Sequence, residues 1–134
     1  MKKALDALLV AIGGALGSLA RYGVTRLALW LAPGLAKAAN WPGTLAVNVL
    51  GTFLIAFLTF GLKEARPTDA AWIMPLLVLG FCGGFTTFST FALDGYKLWT
   101  GGEAVTAILN ILLSLLLSLG ALFLGFKAAA LIFR

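Results

Sequence analysis

A chain of 134 residues that is 61% hydrophobic and only 11% charged, with a mean hydropathy of +1.03, is too apolar for a water-soluble domain, in which roughly 25% of residues are charged. Its net charge of +5 comes from thinly spread lysines and arginines. No basic cluster is present to grip nucleic acid, so these charges read as membrane flanks. A single cysteine, Cys82, and no histidine exclude an internal disulfide and argue against a transition-metal site.

There is no room for a second domain, so residues 1–134 read as one all-α membrane unit. Four transmembrane helices are expected at about 4–31, 42–62, 72–99 and 103–126, each close to the roughly 20 apolar residues that span a bilayer. The opening Met1-Lys2-Lys3 and apolar run resemble a signal peptide, but further membrane segments follow, so the run is expected to stay as the first helix. Gly13 and Gly17 lie one turn apart and let another backbone approach closely. Arg21 falls near one face of the bilayer. It reads first as a snorkelling anchor, and alternatively as a partner for backbone carbonyls or a group facing an aqueous entrance.

Pro33-Gly34 ends this helix, and Trp41-Pro42 opens the second with an interfacial tryptophan and a first-turn proline. Thr44, Asn48 and Thr52 are spaced i, i+4, i+8 and share one face. An asparagine in a membrane helix needs a partner. Asn48 reads as a donor facing a pore, with interhelical bonding as the alternative. A polar turn, residues 61–71, leads to the third segment, whose far interface is marked by Asp94, Lys97 and Trp99. In the fourth, Asn110, Ser114 and Ser118 repeat the i, i+4, i+8 stripe, with Lys127 expected beyond the helix end.

The third segment holds Gly80, Gly83 and Gly84, then Thr86, Thr87, Ser89 and Thr90, with Phe85, Phe88 and Phe91 at every third position. Paired glycines continue a helix poorly, and threonine hydroxyls can bond their own backbone and stabilise a bend. This helix is expected to break mid-membrane, which is tolerated only where the backbone is buried in protein or lines a wet cavity.

The side carrying the termini holds Lys2, Lys3, Lys63, Arg66, Lys127 and Arg134, and the other holds Arg21, Arg26, Lys37 and Lys97. Six against four is a weak orientation bias. Together with the small enclosed volume, it points to an antiparallel homodimer of dual topology. No acidic residue lies between Ala7 and Leu62 or between Trp72 and Leu93, whereas proton-coupled cation export needs a carboxylate at depth. What remains are amides, hydroxyls and phenyl rings with positive edges, groups suited to weak binding of a small anion.

The run Gly80-Phe81-Cys82-Gly83-Gly84-Phe85-Thr86-Thr87-Phe88-Ser89-Thr90-Phe91 resembles the signature of the Fluc (CrcB) fluoride channel family. Gly13-Gly14, Gly17 and Arg21-Tyr22, and Gly43-Thr44-Leu45 with Val47-Asn48 and Gly51-Thr52-Phe53, are similar to its other two blocks. The resemblance implies a passive fluoride exporter of the cell membrane, an antiparallel dimer with two pores and a central structural Na+. It implies that Gly83 and Thr86 supply backbone carbonyls to that ion. Phe88 and Phe91 would line the fluoride path with Asn48, Thr44, Ser114 and Ser118, and Arg21 would lie near a vestibule. Asn110 stands where the family often has an aromatic hydroxyl. A small dual-topology multidrug or cation exporter is the alternative, a non-transporting scaffold a further one. No nucleophile–base pair is present to suggest an enzyme.

Overall fold

A computed structural model describes residues 2–65, 68 and 70–133. Of the expected polar turn, Arg66, Pro67 and Asp69 lie outside the described residues, as does Arg134 from the charge count. Helix α1 (Lys2–Leu31) is followed by a single 3-10 turn, Pro33–Leu35, and by α2 (Trp41–Ala65). Proline at the second position of α2 costs nothing, because an N–H there would have no helical acceptor. The third span starts as α3 (Ala70–Ile73), widens into a π-helix over Met74–Cys82 and tightens again in α4 (Gly83–Phe85). Pro75 removes one backbone donor at the start of the widened stretch, where a regular ladder would need it.

The helical backbone stops at Phe85. Thr86 (φ −82°, ψ 159°) and Thr87 (φ −155°, ψ 116°) are extended, and α5 (Phe88–Thr100) follows. The Thr87 hydroxyl caps the new helix, accepting from the Thr90 N–H at 3.2 Å, and the Thr86 hydroxyl donates to the Cys82 carbonyl at 3.0 Å. Gly101-Gly102, with φ +81° at Gly102, turns the chain into α6 (Ala104–Phe133). This helix runs through Lys127 and past the expected end at residue 126, because Ala128–Phe133 offers nothing that breaks a helix. At 30 residues it is about 45 Å long, well beyond the roughly 30 Å hydrocarbon layer.

Four helical spans are long and apolar enough to cross a membrane, and no strand occurs among the described residues. Helix α2 packs most extensively on α6, and α1 on the π-helix. The second contact is made by glycine. A Cβ on Gly13 would run into the Leu76 carbonyl, one on Gly17 into the Phe81 carbonyl, and one on Gly80 would stand 2.9 Å from Gly13 Cα. Helices in lipid gain little from hydrophobic burial, so close backbone contact supplies the dispersion that holds them. A small apolar core of Ala39, Leu98 and Ala107, with Ala38 and Trp41, closes the α5–α6 hairpin end. Leu16, Leu19, Leu116 and Leu131 project outward, as a lipid-facing surface requires.

Candidate functional site

A cavity of about 500 Å3 lies between α2, α5 and α6. From α2 it receives Asn48, Gly51, Thr52 and Ile55; from the extended segment, Thr86 and Thr87; from α5, Phe88 and Phe91. Helix α6 contributes Ser114 and Ser118, with Ile111, Leu115 and Leu119 around them. The lining carries no charged side chain.

Asn48 holds the interruption open. Its Nδ2 donates to the Thr87 carbonyl at 3.1 Å, and its Oδ1 accepts from the Thr87 N–H at 2.8 Å. In an unbroken helix that N–H would return to the Gly83 carbonyl, which is thereby released. A side-chain amide has two N–H donors, so one remains beyond this pair of bonds. Asn48 therefore makes the interhelical bonds that were one reading of its position, and it also lines the cavity. Thr52 donates to the Asn48 carbonyl at 2.6 Å and is satisfied within its own helix. Ser114 donates to Asn110 Oδ1 at 3.3 Å. Asn110 is fully buried and its Nδ2 has no partner among the described residues.

The rings of Phe88 and Phe91 lie 5.6 Å apart at 51°, a tilted pair whose edges and faces are both available. Phe88 is 79% exposed in the single chain, an unusual state for a phenyl ring unless lipid or another chain covers it.

Of the residues singled out from the sequence, Asn48, Thr86, Phe88, Phe91, Ser114 and Ser118 meet around this cavity. Thr44 does not. It is buried and donates to Asp94 Oδ2 at 2.5 Å, because one helical turn carries it below the lining to where α5 presents that carboxylate. Asp94, expected at the interface with Lys97 and Trp99, is itself only 4% exposed. Its spacing did not disclose this burial, since Lys97 and Trp99 beside it read as interfacial. Arg21 is not a free anchor either. Its Nη1 donates to the Thr86 carbonyl at 3.3 Å, the alternative that the sequence left open. Gly83 is exposed, and a Cβ added there would meet nothing within 4 Å. Thr87, the hub of the clamp, was legible only as part of the threonine pair.

Comparison with known proteins adds the family. A family model described as CrcB-like protein, Camphor Resistance (CrcB), matches residues 8–126. The chain belongs to the CrcB family. This is the family whose motifs the sequence resembles, and membership makes the four apolar spans those of a multi-pass membrane protein. A relative from Rhizobium etli, named fluoride-specific ion channel FluC, is 47% identical over 122 residues, covering 90% of this chain and 93% of its own length. Relatives of the same name from Paracoccus denitrificans and Chlorobium chlorochromatii are 47% identical over 116 residues and 44% over 129. They cover 87% and 95% of this chain and 87% and 94% of their own lengths.

Proposed function

We propose that this CrcB-family chain is a fluoride-selective channel through which fluoride leaves the cell passively. The observation that carries the reading is the uncharged lining of the cavity, which offers an amide, hydroxyls and a phenyl pair in a family whose relatives are named fluoride-specific ion channels. Neutral donors and ring edges hold an anion weakly, and conduction needs binding that can be undone. Asn48, Phe88, Phe91, Ser114 and Ser118 are the pathway residues of this proposal. Arg21 stands at its vestibule. The interruption at Thr86 and Thr87 lies near the middle of the Ala70–Thr100 span, so irregular backbone at that depth has a cavity to line.

The proposal includes a pair of chains in opposite orientations with one pathway each. Its support is the exposed ring of Phe88, the open space at Gly83 and the weak charge asymmetry between the two sides. It also includes a sodium ion between the two interruptions, taken by the Gly83 and Thr86 carbonyls of each copy. The donor set fits such an ion: the Gly83 oxygen has lost its helical partner to the Asn48 clamp, and neutral oxygens suit a hard cation. Thr86 O shares a lone pair with Arg21 and retains a second. The ion would supply positive charge that ties the two extended segments together.

The test is fluoride efflux from liposomes holding the purified chain, with chloride as control. Fluoride is expected to leave and chloride to stay. Equal efflux, or none of either ion, overturns the reading. Replacing Phe88→Ile keeps an apolar side chain but removes the ring edge. It should cut fluoride flux by about tenfold or more, the effect of a barrier raised by about 1.4 kcal/mol, without loss of folded protein.

A further inference from the structure

A second cleft, of about 290 Å3, lies near the C-terminal ends of α2 and α6, away from the cavity described above. Phe57 and Leu62 of α2, Ile73 and Leu77 of the third span and Phe133 of α6 form its walls. Phe133 packs its ring 5.8 Å from that of Phe57 and closes over Gly61, where an added Cβ would stand 2.6 Å from the Phe133 ring. The family match ends at residue 126, so the side of the cleft that Phe133 supplies lies beyond the matched segment, while its other lining residues lie within it.

The cleft is lined by apolar side chains and glycine, while the end of the molecule around it is basic. Lys63 is exposed and follows directly on Leu62 of the wall; Lys127 is exposed on α6 before Phe133; Lys2 and Lys3 begin α1, whose start lies on the same side after an even number of spans. Against these four cations the described residues of this end set Asp6 and Glu64. An apolar slot at an end of the molecule where exposed lysines outnumber carboxylates among the described residues matches a molecule with a hydrocarbon tail and an anionic head.

We propose that this cleft holds one acyl chain of an anionic phospholipid, with the headgroup phosphate at Lys63. The inference depends on the chain being in a membrane and not on the channel reading, so flux measurements do not bear on it. Native mass spectrometry of the full chain, released from vesicles of equal phosphatidylglycerol and phosphatidylcholine, reads it directly. Retained phosphatidylglycerol should exceed phosphatidylcholine by about fivefold, the effect of one lysine near an anionic surface, and Lys63→Gln should remove the excess. A second measurement locates the lipid. With Trp30, Trp41 and Trp99 replaced by phenylalanine, Trp72, which adjoins Ile73 of the wall, is the remaining indole. Phosphatidylglycerol brominated on its acyl chains should quench it more than brominated phosphatidylcholine at the same fraction, and Phe133→Ala should weaken that difference. Equal retention and equal quenching by the two lipids overturn the proposal. So does a preference that survives Lys63→Gln, or an indole that neither lipid reaches because another copy covers the cleft.

Discussion

Up to Phe85 the third span packs backbone to backbone on α1; beyond Thr87 it stands off from α2 and α6 across a cavity of about 500 Å3. The first half makes its contact by having no side chains in the way, with Gly13 and Gly17 of α1 set against the π-helix and Gly84 against the Gly14 carbonyl. The second half is held beside the cavity by polar groups, with Thr87 clamped by Asn48 and Asp94 held by Thr44, and at its far end by the apolar core around Leu98. One half is a close joint in which a Cβ on Gly13, Gly17, Gly80 or Gly84 would meet backbone. The other is a wall with space behind it. The difference teaches how a chain this small can hold an irregular segment steady: the glycine joint fixes where the third span stops, and the amide clamp fixes how it restarts.

The joint is the more fragile of the two, so the largest effect is expected there. Gly17→Leu would drive a side chain into the Phe81 carbonyl and the Phe85 N–H. Both are backbone and cannot swing aside, so the cost should exceed about 4 kcal/mol. No monodisperse protein is expected in mild detergent. A variant that elutes and melts like the parent would show that the two helices are not in contact as described.

Breaking the clamp should cost less and change more. Asn48→Leu strips the Thr87 N–H and carbonyl of their partners, and each buried group left unsatisfied costs about 1–3 kcal/mol. The chain should still fold, because the glycine joint is untouched. The Thr87 amide should exchange with solvent about tenfold faster or more, in line with the loss of at least ~1.4 kcal/mol of local protection, and fluoride flux should fall with it. Unchanged exchange at Thr87 would mean that the extended segment holds itself, without Asn48. Asn48→Asp sharpens the point: it keeps the acceptor for the Thr87 N–H, loses the donor, and puts a negative charge beside the proposed anion path. Flux should fall further than exchange rises.

Below the cavity, Thr44→Val removes the hydroxyl that donates to Asp94 and leaves a buried carboxylate one bond short. Stability should drop by about 1–3 kcal/mol, read as a lower midpoint of thermal unfolding. Because Thr44 is outside the lining, fluoride flux per folded protein should stay near the parent value. A loss of flux at unchanged stability would restore Thr44 to the pathway.

The two halves also differ in how far the sequence disclosed them. The joint was legible in Gly13 and Gly17, since a GxxxG pair states its own purpose. The widening of the third span into a π-helix was not, because Pro75 disturbs the ladder without saying how the turns readjust. On the open side, Asn48, Ser114 and Ser118 could be read from an i, i+4 stripe. Thr44 belongs to the same stripe and yet leaves the site, because a stripe gives the face of a helix and not the depth at which a neighbour meets it. Asp94 was hidden by its neighbours: next to Lys97 and Trp99 it resembles an interfacial charge, and only the packing of α5 against α2 brings it to Thr44. Arg21 met a carbonyl because the extended Thr86 presents one, a consequence of an interruption whose shape no propensity specifies.

The smallest effect separates what covers each half from outside. Gly120 of α6 and Gly83 at the edge of the joint are both exposed, and an added Cβ at either meets nothing within 4 Å in the single chain. Gly83 is helical, with φ −63° and ψ −39°, and Gly120 lies within α6. Alanine suits both backbones and should stabilise the chain by about 0.5–1 kcal/mol. At Gly120 that gain should appear as a slightly higher unfolding midpoint with unchanged flux. At Gly83 the proposed second copy passes close by, so the methyl group should cancel the gain and shift the purified protein from dimer toward monomer in size-exclusion with light scattering. Equal gains at the two positions, with assembly unchanged, would mean that nothing approaches Gly83 and that the paired arrangement must be built on another face.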